Sequence, residues 1–213
     1  MNRLVLGVII LNVLFSYKGI QDRLFLDKYK FQIGPILAGQ KRRLITSGFL
    51  HTDYMHLGFN MYALYVFSDA VVLYLGGVNF LIIYIGSLLF GNVFSLFYHK
   101  NEPYYSAVGA SGAVSGIVYS AVMLYPDMTL IMFPIPIHLP GYVFGVGYLL
   151  YSIYAMKKEL GNVGHSAHLG GAIGGFGITL LLYPQLISEK PFMTGLLALP
   201  IILLFILEKK IAR

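Results

Sequence analysis

Long apolar segments alternate with short polar connections along most of the chain. Several of these segments approach the roughly 20 residues that an α-helix needs to cross a lipid bilayer. We predict seven transmembrane helices, at approximately residues 4–17, 55–75, 80–97, 105–125, 142–156, 165–183 and 192–207. The pattern therefore predicts an all-α polytopic membrane protein.

The connections between these segments differ in character. Gly76 and Gly77 form a short predicted turn between the second and third segments, and the four prolines of residues 126–140 make that connection a poor continuous helix. Residues 18–50 carry seven basic and two acidic side chains together with several apolar ones. A loop of this length with its own apolar groups is predicted to fold on the membrane surface.

Composition agrees with a membrane protein. Hydrophobic residues make up 57% of the 213 residues and charged residues only 11%, against the roughly 25% charged residues of soluble domains. The net charge of +6 does not indicate nucleic-acid binding, because no large soluble surface carries it, and Lys and Arg are expected to meet lipid headgroups or water. The absence of cysteine excludes disulfides, thiolate catalysis and cysteine-ligated metal.

Polar side chains within membrane spans are costly, so each one is a candidate functional group. Ser111 lies between small residues in the sequence Gly109-Ala110-Ser111-Gly112, at the start of the fourth segment. If a helix begins there, its unpaired N–H groups and positive dipole end would stabilise an anion beside the serine. The alternative is helix packing, because Gly112 and Gly116 form a small-xxx-small pair.

Two further polar clusters begin the second and sixth segments. His56 and Asn60 are four residues apart, so they share one helix face, where both can donate hydrogen bonds or clamp a neighbouring helix. His51 is expected at the water boundary. His168 lies about one turn into the sixth segment, and His165 is expected nearer the surface, as a loop or cap residue.

Glycines follow His168 at positions 170, 171, 174 and 175. They would let the sixth helix approach the Gly112/Gly116 face of the fourth closely enough for His168 to reach Ser111. A base within hydrogen-bond reach of a hydroxyl is the requirement for serine nucleophilic catalysis. The second, fourth and sixth helices run in one direction, so their starts lie on one face of the membrane. Because none of the nine acidic residues is placed to orient His168, a serine–histidine dyad fits better than a triad.

Three motifs in this order resemble the rhomboid family of intramembrane serine proteases. They are Gly109-Ala110-Ser111-Gly112, the His56-x-x-x-Asn60 pair and Ala167-His168-Leu169-Gly170-Gly171, and Arg43 resembles the arginine of that family's first loop. The resemblance covers approximately residues 42–175. It implies a six-helix bundle core in residues 1–185, and leaves residues 186–213 as an additional transmembrane helix with a basic tail.

The resemblance also implies roles for individual residues. Ser111 would be the nucleophile, His168 the general base, and His56, Asn60 and the Ser111 backbone N–H the oxyanion hole. Gly109, Gly112, Arg43 and Gly171 would support the site, and no metal or other cofactor is implied. The fifth span and the loop of residues 157–164 would form a lateral gate and cap for a substrate helix.

The partners implied are the lipid bilayer and transmembrane protein substrates, with no nucleic acid and no particular oligomeric state. A helical substrate must unwind locally before its peptide bond can be attacked, so helix-destabilising residues would favour cleavage. We predict cleavage near the outer membrane boundary, with small residues at the cut.

Three positions depart from the family's pattern. The family often has a tryptophan before the first-loop arginine, where this chain has Arg42. An aromatic residue that stacks on the base often lies four residues after the nucleophile, where this chain has Ser115. An acid is common twelve residues after the oxyanion asparagine, where this chain has Val72.

Orientation and location follow from the resemblance more than from charge. The family's orientation has the site open to the extracytoplasmic face, which exposes the basic first loop on that side against the positive-inside rule. The compact chain suggests a bacterial plasma membrane.

Other functions are compatible with the pattern. A catalytically silent relative would bind or escort membrane proteins. A metalloenzyme would use His51, His56, His165 and His168, although no HExxH motif or accompanying carboxylate occurs. A transporter is disfavoured, because internal repeats and charged midplane residues are not evident.

Overall fold

A computed structural model of the chain describes residues 1–132, 137–158 and 164–207. Its helices are α1 (Arg3–Gln21), α2 (Arg23–Tyr29), α3 (Ile33–Leu37), α4 (Arg43–Thr46), α5 (Tyr54–Tyr98), α6 (Ser111–Leu124), α7 (Gly141–Lys157), α8 (His165–Leu182), α9 (Leu186–Glu189) and α10 (Pro191–Leu207). Its strands are β1 (Phe31–Gln32), β2 (Ser106–Ala107), β3 (Thr129–Met132) and β4 (Ile137–Pro140). Most of the predicted cap loop, residues 159–163, two of the prolines, at 134 and 136, and the basic tail, residues 208–213, lie outside the described residues.

The helical content and the exposed surface are those of an all-α membrane protein. By length and composition, α1 and α5 can each cross a membrane, and Ser111–Leu124 and Pro191–Ile206 are shorter apolar helices. Large apolar side chains such as Leu14, Leu73, Phe97 and Leu181 are at least 60% exposed on the outer surface. This surface suits lipid, because a bilayer stabilises exposed apolar side chains while helices satisfy their own backbone groups.

The predicted turn at Gly76 divides α5 into two helical arms, residues 54–75 and 77–98. Gly76 has φ 82° and ψ 165°, which are not helical values and produce a kink between the two arms. A positive φ is readily adopted only by glycine, because it lacks a Cβ atom. The second and third predicted spans therefore correspond to the two arms of α5.

The centre of the fold is the close packing of α5, α6 and α8. A Cβ atom on Gly171 would overlap the carbonyl oxygen of Gly112, and one on Gly175 would overlap that of Gly116. The glycine faces of α6 and α8 are therefore in backbone contact, as the small-residue spacing predicts. Farther along the same interface, the Thr179 hydroxyl donates to the Gly175 carbonyl at 2.7 Å, and its oxygen lies 2.6 Å from Ser120 Oγ of α6.

The first loop is folded, and Arg43 is its central polar group. Arg43 is only 6% exposed, and its guanidinium donates to the carbonyls of Asp27 and Lys30 at 2.9 and 2.8 Å and to Gln40 Oε1 at 2.8 Å. These bonds satisfy carbonyls around the C-terminal end of α2. On the other side of α4, Asn92 of α5 donates to the Leu44 carbonyl at 2.7 Å, which attaches the loop to the helical core.

Two small antiparallel sheets are an addition to the all-α prediction. Phe31 pairs with Ala107 and Gln32 with Ser106, so β1 of the first loop pairs with β2 just ahead of Ser111. The second sheet pairs β3 with β4, with Thr129 opposite Pro140, in the connection whose prolines argued against a helix. Strands of two to four residues carry too little periodicity to be recognised in a sequence.

The C-terminal segment packs against the preceding helices. The Tyr119 hydroxyl of α6 donates to the Leu197 carbonyl of α10 at 2.8 Å. Lys190 Nζ donates to the carbonyl of Leu124, the last residue of α6, at 2.6 Å. These bonds join α10 and its connection to α6.

Candidate active site

Ser111 is the first residue of α6, where the unpaired N–H groups of a helix are located. The backbone ahead of it is held by two hydrogen bonds: Gly109 N–H donates to the Ser47 carbonyl at 3.1 Å, and Ala110 N–H donates to His51 Nε2 at 3.3 Å. The serine is thus presented at a positive helix end by backbone that is fixed to the first loop and to His51.

Gly109 permits a close approach of His56 to Ser111. Its φ of 138° is a conformation that residues with a Cβ rarely adopt. A Cβ atom built there would lie 2.9 and 3.0 Å from His56 Cε1 and Nε2 and 3.5 Å from Ser111 Oγ. The imidazole edge of His56 and the Ser111 hydroxyl therefore flank the same small space.

His56 and Asn60 are held on one face of α5, near its start. Asp53 caps the helix by accepting the His56 N–H at 2.8 Å, and this hydrogen bond holds the pKa of the Asp53 carboxyl below its usual value. Asn60 is 7% exposed, and its Nδ2 donates to the His56 carbonyl at 2.9 Å. Since an amide nitrogen carries two protons, Asn60 keeps a second donor.

His51 is not at the water boundary, as the sequence led us to expect, but fully buried. Its Nε2 accepts the Ala110 N–H, so the proton must be on Nδ1, which lies 2.8 Å from Ser16 Oγ of α1. The Ser16 hydroxyl donates in turn to the Phe49 carbonyl at 3.1 Å. The His51 ring also contacts that of His56 edge-on, with centroids 4.8 Å apart, so His51 connects α1 to both sides of the site.

Burial, with a smaller effect of His56, lowers the pKa of His51, in the loop before α5, from 6.5 to about 3. The unfolded chain therefore binds a proton that the folded chain rejects, and stability is complete above pH 6.5 and falls as the pH decreases towards 3. Between pH 6.5 and 5 we expect a loss of roughly 2 kcal/mol in the free energy of unfolding. Thermal denaturation at both pH values would measure it. His51→Gln, which cannot titrate, should lose less, and parallel losses in both proteins would contradict the assignment.

His168 and Ser111 line one cavity of about 470 Å³, together with Asn60 and apolar side chains that include Phe59, Phe67 and Phe144. The imidazole of His168 is half-buried, and it stacks on Tyr148 of α7 with centroids 6.3 Å apart. In the part of the chain that the structure describes, Ser111 and His168 share the cavity wall without a mutual hydrogen bond. Catalytic hydrogen bonds are often long before substrate binds, so this geometry is compatible with a dyad.

His165 differs from the expectation of a surface loop or cap residue. It is the first residue of α8 and is 8% exposed. Its ring contacts His168 edge-on at 6.0 Å and Tyr151 at 5.9 Å. Within the described ranges, no group of three or more His, Asp or Glu side chains is arranged to hold a metal ion.

Sequence reasoning missed Tyr148. Its hydroxyl lies 2.6 Å from Ser115 Oγ, at the position where the family resemblance leads one to expect an aromatic residue. Nothing in the sequence distinguishes Tyr148 among the 17 tyrosines of the chain, because its importance depends on the rotation of α7 about its own axis.

Comparison with known proteins identifies the family of the chain. The family model described as Rhomboid domain matches residues 38–185. The chain is 30% identical over 168 residues to Rhomboid protein 1, mitochondrial, of Saccharomyces cerevisiae, covering 78% of this chain and 47% of the relative. It is 29% identical over 186 residues to RHOMBOID-like protein 12, mitochondrial, of Arabidopsis thaliana, covering 79% and 55%. It therefore spans about half the length of these two relatives.

A bacterial relative matches a shorter part of the chain. YdcA of Bacillus subtilis, named as a candidate rhomboid protease, is 33% identical over 147 residues, which cover 58% of this chain and 72% of YdcA. The yeast and Arabidopsis relatives, which match more of the chain, are both mitochondrial. The prediction of a bacterial plasma membrane is therefore wrong, since the relatives that match the larger share of the chain are mitochondrial proteins. Since the domain match extends over more than half of the chain and includes Ser111, His56, Asn60 and His168, this protein belongs to the rhomboid family.

Proposed function

We propose that the protein is a serine endopeptidase that hydrolyses peptide bonds in or near the transmembrane helices of membrane-protein substrates. The observation that carries this proposal is the shared cavity of Ser111, His168 and Asn60, which begins at the N-terminal end of α6. A nucleophile, a base and hydrogen-bond donors around one space are the parts that acyl transfer requires.

In the proposed reaction, His168 takes the Ser111 hydroxyl proton as Oγ attacks the scissile carbonyl carbon. The tetrahedral intermediate collapses as the C–N bond breaks, and His168 returns the proton to the departing amine. Water then attacks the acyl-enzyme ester with His168 again as the base, which releases the carboxylic acid product and restores the Ser111 hydroxyl. The reaction consumes one water and requires no metal or organic cofactor.

The carbonyl oxygen becomes negative in this reaction and needs donors. The Ser111 N–H at the start of α6, the second Nδ2 proton of Asn60 and His56 Nε2 are the proposed oxyanion hole. His56 is suited to this role because its Nε2 lies beside Gly109 and Ser111. Removal of one such donor typically costs a factor of about 100–1000 in rate.

The proposed substrate is a transmembrane helix that unwinds at the site. Apolar side chains, including Phe59, Phe67 and Phe144, provide most of the cavity wall, which suits the flank of a membrane segment. We retain the prediction that cleavage occurs near a membrane boundary, with small residues at the cut.

We also propose that α10 is a seventh transmembrane helix, added to a catalytic core in residues 1–185. Its apolar sequence and its hydrogen bond to Tyr119 of α6 support a position beside the core within the bilayer. Residues 186–207 would then belong to the membrane assembly without contributing to the chemistry.

Labelling with a fluorophosphonate tests the proposal directly, because the Oγ atom of an activated serine attacks the phosphorus of this reagent, displaces fluoride and keeps a stable phosphonate ester. In detergent-purified protein we expect labelling at Ser111, its loss in Ser111→Ala, and labelling slowed at least about 100-fold in His168→Ala. Ser188→Ala and His138→Ala are matched controls, because both side chains are exposed. Cleavage of a transmembrane substrate in liposomes, located by mass spectrometry, would then establish peptide-bond hydrolysis.

The alternative is a catalytically silent protein that binds or escorts membrane proteins. It is favoured by one observation, the absence of a hydrogen bond between Ser111 and His168 within the described chain. A folded, monodisperse protein that stays unlabelled but binds transmembrane segments would replace the protease proposal with this one.

A further inference from the structure

Tyr148 of α7 contacts the proposed base directly and is linked to the proposed nucleophile through Ser115. Its ring stacks on His168 with centroids 6.3 Å apart and planes inclined by 25°. Its hydroxyl lies 2.6 Å from Ser115 Oγ, and the Ser115 hydroxyl lies 2.7 Å from the carbonyl oxygen of Ser111, to which it donates. One tyrosine thus joins the base to the backbone of the nucleophile.

The direction of these hydrogen bonds follows from counting protons. Ser115 has a single hydroxyl proton, which it gives to the Ser111 carbonyl. Ser115 Oγ can therefore only accept from Tyr148, so the Tyr148 O–H is the donor. The result is a chain of hydrogen bonds from Tyr148 through Ser115 to the Ser111 carbonyl, in which each hydroxyl donates to one defined acceptor.

His168 needs such support, since a base must be held at the correct angle to its nucleophile. Among the residues that the structure describes, the rings stacked against or edge-on to the His168 imidazole are those of Tyr148 and His165. The stacked ring of Tyr148 restricts rotation of the imidazole about its Cβ–Cγ bond. The edge-on ring of His165 restricts that rotation less. Tyr148 is itself held by Phe144, one turn earlier on α7, with centroids 5.9 Å apart and planes inclined by 12°.

We propose that Tyr148 is a positioning residue for the proposed general base His168, tethered through Ser115 to the backbone of Ser111. This inference rests on the proposed protease function. In this chain the ring that stacks on His168 comes from α7. The small Ser115 on α6 leaves room for that ring and accepts a hydrogen bond from the Tyr148 hydroxyl.

The test separates binding of the fluorophosphonate from its reaction, by measuring the maximal labelling rate constant and the half-saturating concentration across pH 5–9. Tyr148→Leu removes the ring, and we expect the maximal rate constant to fall roughly 10- to 100-fold, with a changed pH profile. The half-saturating concentration and the melting temperature should stay near those of the wild type. Tyr154→Leu is the matched control, because Tyr154 lies on the same helix and is 56% exposed.

Two milder variants test the tether and keep the proposal testable if Tyr148→Leu does not fold. Tyr148→Phe keeps the ring and Ser115→Ala keeps the helix. Both remove the bond between Tyr148 and Ser115, and Ser115→Ala also removes the bond to the Ser111 carbonyl, so each should slow labelling by about three- to tenfold. The double variant should be no slower than Ser115→Ala alone, whereas losses that multiply would show independent roles and overturn the tether.

The outcomes distinguish this inference from the proposed function. A wild-type protein that is never labelled would overturn the protease proposal and this inference with it. A labelled wild type with an unchanged rate constant in Tyr148→Leu would overturn only the positioning role. Tyr148 would be assigned to packing alone if Tyr148→Leu lowered the melting temperature along with the labelling rate constant, and if Tyr154→Leu lowered that rate constant by the same factor.

Discussion

Gly171→Ala is expected to destabilise the protein more than any other single-methyl addition in α8. The added Cβ would overlap the Gly112 carbonyl oxygen and lie 2.6 Å from its carbonyl carbon and 2.9 Å from its Cα. Backbone atoms cannot move aside as a flexible side chain can, so α6 and α8 must separate. We expect a loss of about 3 kcal/mol, the upper end of typical overpacking costs, measured by thermal denaturation in detergent micelles.

Gly177→Ala is the matched control, because it lies on the same helix with no atom within 4 Å of the added methyl group. We expect it to be neutral or slightly stabilising, because alanine has a higher helix propensity than glycine. Equal melting temperatures for the two variants would show that α6 and α8 do not meet at these glycines. If Gly171→Ala lost both fluorophosphonate labelling and stability while Gly177→Ala kept both, the contact between α6 and α8 would also hold His168 beside Ser111.

Gly109→Ala is expected to abolish activity while leaving the fold in place. The methyl group would lie 2.9 Å from His56 Cε1 and 3.0 Å from Nε2, which would push the imidazole out of the proposed oxyanion hole. We expect a fall of at least about 100-fold in the maximal rate of substrate cleavage, comparable to the removal of one oxyanion donor. Liposome cleavage assays would measure the rate, and circular dichroism would report the helical content.

The positive φ of Gly109 adds backbone strain, which must be separated from the effect on His56. Gly39→Ala provides that separation, because Gly39 has φ 99° and no atom within 4 Å of an added Cβ. Strain of this kind costs on the order of 1–3 kcal/mol, so Gly39→Ala should lose stability and retain activity. If Gly109→Ala cleaves substrate as fast as Gly39→Ala does, His56 has no role in stabilising the oxyanion.

Local features of the site could be predicted because they depend on residues close together in sequence. His56 and Asn60 share a face of α5, and the bond from Asn60 Nδ2 to the His56 carbonyl is a contact across one helical turn. Ser111 begins α6, the helix start that the sequence analysis considered, whereas the positive φ of Gly109 is seen only in the structure. The glycines of α8 meet α6 because few other residues permit backbone contact between helices.

The errors concern contacts between distant segments. The sequence places His51 at the water boundary, but Ser16 of α1 covers one of its ring nitrogens and Ala110 donates to the other. Those partners are 35 and 59 residues away, and no local pattern identifies them. The pairing of β1 with β2 was missed for the same reason, since each strand has only two residues.

The sequence by itself determined the membrane class, the approximate helices, the break at Gly76 and the polar residues worth suspecting. These properties follow from hydropathy, periodicity and the conformational range of glycine, which act over one or two helical turns. Only the tertiary structure decided that His51 is buried, that Tyr148 rather than a residue of α6 stacks on His168, and that Ser115 links Tyr148 to Ser111. Such contacts depend on how each helix is rotated and shifted against its neighbours, and that arrangement is set by the packing of the whole bundle.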